Sequence, residues 1–167
     1  MQQQIIVSGV GGQGVILMTR FLAEAAMEEG CDILASETHG MAMWGGTVIS
    51  HVKVGAFRSP LVRRGQADIG LFLQAPNLDI HGGLMKKGGL IFVNTAAAGD
   101  HLGVDATGLA KTAGSAVMAN LVLLGFAVAS CQLFCGIEAA ERVVARISPP
   151  DKADMNMKAF RIGLAAK

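Results

Sequence analysis

Charge is what this chain has least of. Only 16% of its 167 residues are Asp, Glu, Lys or Arg, against about 25% in an ordinary soluble domain. The 14 basic and 13 acidic residues nearly cancel to a formal +1, with no block of one sign and no basic stripe. That excludes the electrostatic footprint of a nucleic-acid binder. Aromatics reach 5%, tyrosine is missing and Trp44 is the lone tryptophan. Cysteine is scarce and odd in number: Cys31, Cys131 and Cys135. The last two form a C-x3-C on what reads as an apolar helix, without the companions that bring a zinc or iron–sulfur site to about four ligands. They read as reduced thiols in a cytoplasmic compartment, with no metal site. There are no paired carboxylates, no Ser-His-Asp elbow and no C-x-x-C. The greasiest stretch, 116–129, is broken by Asn120 and Gly125 and falls short of the roughly 18 residues of a membrane span. Met1 to Gln4 has no positive region or cleavage site, so no export signal is visible.

What remains is apolar. Hydrophobic residues make up 51% of the chain, enough for one domain over residues 1–167 with its own core. The small polar share implies a large apolar area meeting another protein chain, or a second copy in isolation. Strand and helix signals alternate. Gln4 to Ser8 reads as a strand, Val15 to Glu28 as an amphipathic helix ending at Gly30, and Cys31 to Ser36 as the next strand, a βαβ unit. Strands follow at 48–54, 69–73 and 90–94, with a helix from Pro76 to the Lys86-Lys87-Gly88-Gly89 stop. Helices at 115–130, 137–146 and 152–164 complete a doubly wound α/β domain, a mainly parallel sheet flanked by helices.

The first βα turn carries the strongest motif. Gly9, Gly11 and Gly14 satisfy G-x-G-x-x-G, with Gly12 and Gln13 between them, placing bare N–H groups at a helix N-terminus. Asp32 and Glu37 sit near the offset of a ribose-binding acid, so a dinucleotide such as NAD or FAD, another anion, and plain strand–helix packing all stay open. The Gln13 amide faces whatever the turn cradles or faces solvent. A second loop begins after Glu37 and runs through Thr38, His39, Gly40, Met41, Ala42, Met43, Trp44, Gly45 and Gly46. His39 is the candidate proton shuttle or hydrogen-bond donor. Met41, Met43 and Trp44 suit either a partner face or a plug for the chain's own core. His51 and Lys53 share a strand face that reads as solvated.

Taken in order, Gly9-Val10-Gly11-Gly12-Gln13-Gly14, Ser36-Glu37-Thr38-His39-Gly40-Met41-Ala42 and Gly45-Gly46-Thr47-Val48-Ile49-Ser50-His51-Val52 are far more specific than either glycine loop alone. The chain resembles the gamma-type subunit of 2-oxoacid:ferredoxin oxidoreductases over nearly its whole length. The Ser-Glu-x-His-Gly-Met-Ala run is most similar to the indolepyruvate enzyme's beta subunit and then to the 2-oxoglutarate enzyme's gamma subunit. The resemblance implies oxidative decarboxylation of a 2-oxoacid to an acyl-CoA. It implies thiamine diphosphate, magnesium and iron–sulfur clusters on companion subunits, coenzyme A as cosubstrate, ferredoxin as acceptor, and a chain inactive alone. It makes Gly9, Gly11, Gly12, Gln13 and Gly14 candidates for the CoA phosphates or another anion. Glu37, His39, Gly40, Met41, Met43, Trp44, Gly45 and Gly46 become a candidate interface loop. Met43-Trp44 stands where relatives commonly place Gln-Arg, and the segment from Asn94 to Val104 is short, which implies a trimmed edge strand. The rival readings are an independent NAD- or FAD-binding enzyme and a non-catalytic binding module.

Overall fold

A computed structural model describes residues 1–39 and 46–167. Strand β1 (Gln3–Val10) leads through the glycine turn into α1 (Val15–Glu28), β2 (Ile33–His39) and β3 (Thr47–Val54). Then come β4 (Ala67–Phe72), a short α2 (Asn77–His81), β5 (Met85–Asn94) and β6 (Leu102–Val104). Four helices finish the chain: α3 (Ala106–Ala113), α4 (Ala119–Ala129), α5 (Ile137–Ile147) and α6 (Ala153–Ala165). The six strands lie in the order β2-β3-β1-β4-β5-β6. Four are connected in parallel from β1 to β6, while β3 runs antiparallel to both of its neighbours.

Alternation along the strands divides the core in two. Ile5 and Val7, Val52 and Val54, and Ile69 and Leu71 join the larger cluster with α1 and the C-terminal helices. Ile6, Ile49, Phe72 and Val93 pack on the other side with Val62, Leu78 and Leu84. Helix α1 buries Met18, Phe21, Leu22, Ala25 and Ala26 completely, the i, i+3, i+4, i+7, i+8 stripe of a helix lying on a sheet. Each of its larger side chains contributes about 1.5–3 kcal/mol as an upper figure. Gly30 ends α1 in a Schellman pair, with Cys31 N–H donating to Ala26 C=O at 2.8 Å and Gly30 N–H to Met27 C=O at 3.1 Å. Helix α4 is apolar nearly all round because it lies between the sheet and α6. Where α4 and α6 cross, a Cβ on Gly163 would stand 2.0 Å from the Val122 carbonyl oxygen, and one on Gly125 would stand 2.1 Å from that of Phe160.

Several expectations need correction. The unit β1-α1-β2 exists, but its strands are not neighbours: β3 returns antiparallel and inserts between them. Lys86-Lys87-Gly88-Gly89 does not stop a helix. The helical turn is over by Leu84, and these residues form an irregular start to β5, where the register jumps from Ala67 opposite Met85 to Ile69 opposite Leu90. Lys86 ion-pairs with Asp68 there. His51 and Lys53 are not solvated, being 8% exposed beneath the connection from β3 to β4. Cys131 and Cys135 lie beyond the end of α4, Cys131 at φ 58°. At the sheet edge stands β6, three residues long. Helix α3 follows it, capped by Asp105, whose Oδ1 accepts from Gly108 N–H at 2.8 Å.

Candidate functional site

The glycine turn sits where the parallel strands end, and the structure braces it from four directions. The Gln13 amide folds inward: its Oε1 accepts from Val10 N–H at 2.9 Å, and its Nε2 donates to Gln74 Oε1 at 2.9 Å, just after β4. Asn77, only 3% exposed at the start of α2, donates from Nδ2 to the Gly9 carbonyl at 2.9 Å and to Ser8 Oγ at 3.0 Å. Gly11 N–H donates to the Gly46 carbonyl at 3.0 Å, tying the turn to the far end of the second loop. On the helix side Asn120 packs against Gly14, leaving no room for a side chain: a Cβ there would lie 2.1 Å from Asn120 Nδ2, and φ is +84°.

This bracing consumes much of what a ligand would use. The N–H groups of Val10, Gly11 and Gln13 are all donated within the protein, which leaves those of Gly12 and Gly14 without an acceptor among the described residues. Gly12 is exposed at φ +90° with nothing near its missing side chain. The shallow cavity beside the turn, about 280 Å³, is lined by Val10, Gly11, Gly12, Gly14, Val15, Ile16 and Val48. Ile16 is 57% exposed. On the other flank of the first turn of α1, a cavity of about 380 Å³ is lined by Leu17, Val117, Met118, Asn120 and Met155 among others. The turn therefore presents, within an apolar surface, two backbone donors that no described residue takes up.

Pairing sets where the second loop begins. Val48 lies opposite Gly9 on one side and His39 on the other, so the backbone of His39 is level with the turn but two strand spacings, about 10 Å, from β1. Glu37 lies opposite Ser50, which lies opposite Val7. Because β3 intervenes, Glu37 is one strand farther from the turn than the ribose-binding acid of a dinucleotide fold, and Asp32 precedes β2 at its opposite end. The acid that favoured NAD or FAD is out of place. Gly40, Met41, Met43, Trp44 and Gly45 lie outside the described residues.

One cluster was not foreseen. Beneath Gly9, Ser8 Oγ lies 2.8 Å from His81 Nδ1, and the Asn77 donation to the same oxygen leaves the hydroxyl proton for the imidazole. The geometry matches a nucleophile and base, yet Ser8 is fully buried, so the pair locks α2 onto β1. Burial holds His81 below the usual histidine pKa. It does the same to His51, aided by the charges of His81 and Lys53. The signal was Asn77 following Pro76 at a helix start. The cysteines do not fit a cluster: burial pushes the Cys135 thiol up to about 12, Cys131 is exposed, and no group of three or more His, Cys, Asp or Glu converges among the described residues. No helix among them is long and apolar enough to cross a membrane.

Comparison with known proteins matches residues 4–166 to the family described as pyruvate ferredoxin/flavodoxin oxidoreductase. Indolepyruvate oxidoreductase subunit IorB of Archaeoglobus fulgidus is 30% identical over 189 residues, covering 98% of this chain and 94% of that protein. Among solved structures, the gamma subunit of a keto/oxoacid ferredoxin oxidoreductase from Geobacter sulfurreducens superposes with a TM-score of 0.80 at 31% identity, covering 98% of this chain and 97% of that one. The pyruvate oxidoreductase subunit PORC of Thermotoga maritima shares the fold, with a TM-score of 0.82 at 23% identity over 99% and 96% of the two chains.

Proposed function

We propose a function from one premise: the chain belongs to the pyruvate ferredoxin/flavodoxin oxidoreductase family. It is the gamma-type subunit of a 2-oxoacid oxidoreductase that converts an aryl pyruvate, or alternatively 2-oxoglutarate, to an acyl-CoA. It is inactive alone and works against a subunit that binds thiamine diphosphate and magnesium and one that carries iron–sulfur clusters, passing electrons to ferredoxin. The aryl pyruvate preference rests on the IorB relatives.

The observation that carries this reading is the braced glycine turn within an apolar rim. A turn held by Gln13, Asn77, Asn120 and Gly46 costs little further ordering when it docks, and Ile16 with its neighbours offers apolar area to a partner chain. The Gly12 and Gly14 N–H groups at the start of α1 remain for a carboxylate or a phosphate of CoA. No step is assigned to a side chain here. The subunit's part is to complete the binding surface, and the chemistry belongs to the cofactors of its partners.

Reconstitution tests it. The chain co-expressed with a thiamine-binding and an iron–sulfur subunit should reduce a viologen dye dependent on both indolepyruvate and CoA, and the chain alone should not. A complex equally active without this chain would refute the reading. Tight NAD or FAD binding by the chain alone would favour the rival enzyme.

A further inference from the structure

The connection between β3 and β4 concentrates positive charge. Lys53, Arg58, Arg63 and Arg64 converge on a cleft of about 500 Å³, with Gln4 and Phe57 among its other walls. The whole chain carries only +1, and four of its 14 cations meet in this one place. Lys86, Arg142, Arg146 and Arg161 have carboxylate partners. The four cations of the cleft have none among the described residues. Asp68, whose carboxylate is bonded to the backbone of Gln4, is already occupied by that N–H and by Lys86.

Lys53 is the telling member. The residue as a whole is 8% exposed, and its ammonium stands 5.1 Å from the centre of the Phe57 ring. The ammonium lines the cleft itself, and a cation–π contact leaves its charge open to an anion there. The arginines stand on a fixed strap rather than a loose loop. Val62 is buried, its N–H donates to His51 Nδ1 at 3.4 Å, and the N–H groups of Gly65 and Gln66 donate to the carbonyls of Gly83 and Leu84 at 3.1 and 3.0 Å. Arg64 lies across Gly83, where a Cβ would meet its Nη2 at 2.8 Å.

We infer that this cleft is a binding site for a small ligand carrying a diphosphate group, separate from the glycine turn. A concave site with one charge at its floor and three guanidinium forks at its rim suits a compact polyanion that reaches inward. A flat acidic protein surface would reach the rim alone. The cleft lies at the opposite end of β1 from the glycine turn, about 20 Å along the strand.

Calorimetric titration of the full chain with inorganic pyrophosphate, at ionic strength held constant with chloride, tests this. ADP in place of pyrophosphate distinguishes a nucleotide from an inorganic source. Arg58→Gln with Arg63→Gln should weaken pyrophosphate binding by about tenfold or more. Lys152→Gln with Lys158→Gln, which removes the same charge elsewhere, should not weaken it. Lys53→Met should match the arginine pair. If it fails to fold, the arginine pair, exposed and easily replaced, decides. No binding beyond that of chloride, equal loss in both double variants, or binding of a polyglutamate peptide in place of pyrophosphate would overturn the assignment.

Discussion

Replacing Gly14 by alanine separates two costs that the turn combines. At φ +84° a β-carbon costs roughly 1–2 kcal/mol in backbone strain. The added methyl would also stand 2.1 Å from Asn120 Nδ2. Asn120 cannot swing aside freely, since it is 4% exposed and its Oδ1 accepts from Leu121 N–H at 2.8 Å. Overpacking of this kind costs about 1–3 kcal/mol, so the total is roughly 2–5 kcal/mol. Gly12 supplies the control: its φ is +90° but nothing lies within reach of a β-carbon, so Gly12→Ala should lose only the strain, roughly 1–2 kcal/mol. Urea denaturation of both variants, with Asn120→Ala and the Gly14→Ala/Asn120→Ala pair, closes a cycle. The pair should be more stable than additivity allows by about 1–3 kcal/mol, because removing the amide removes the clash. Strict additivity, or equal losses at Gly12 and Gly14, would refute the reasoning that Asn120 forms the wall of the turn.

Asn77→Ala leaves the Gly9 carbonyl and Ser8 hydroxyl short of a donor in a buried place, and should cost about 2–4 kcal/mol by urea melts; a loss below about 1 kcal/mol would mean that water replaces the amide. Gly163→Ala forces α4 and α6 apart at a backbone contact and should reach the upper end of about 1–3 kcal/mol, seen as a lowered denaturation midpoint. Burial holds the pKa values of His51 and His81 below the ordinary 6.5. The unfolded chain therefore binds protons that the folded chain refuses. Stability is full above pH 6.5 and falls as pH drops through that value towards the folded-state pKa values. Melting temperature should decline from pH 7 to pH 5, and a flat profile would contradict the burial of both rings.

Most elements could be read from the chain because each carries its own period. The stripe from Met18 to Ala26 and the β-branched run of β1 say helix and strand without help. What could not be read is long range. Nothing local tells that β3 will slip between β1 and β2, and that insertion moves Glu37 away from the turn. His51 and Lys53 looked solvated because alternation places them on one face, yet it cannot show that residues 55–66 fold over that face. Lys86 and Lys87 mimic the cationic end of a helix, and only pairing with β4 reveals a strand. Gln13 was legible as a residue of the turn but not as its brace, since its partner Gln74 is 61 positions away. The basic cleft escaped for the same reason: Arg58, Arg63 and Arg64 are spread along a connection that only the fold gathers around Lys53.

The central claim, that the glycine turn and the end of the second loop form the edge that meets partner subunits, is tested most directly by amide hydrogen exchange of this chain free and in its complex. Assembly should slow exchange at Gly12, Gly14, Ile16 and Thr47 and leave Arg58 to Gln66 unchanged. Equal exchange at the turn in the free and assembled chain, with protection elsewhere, would contradict it.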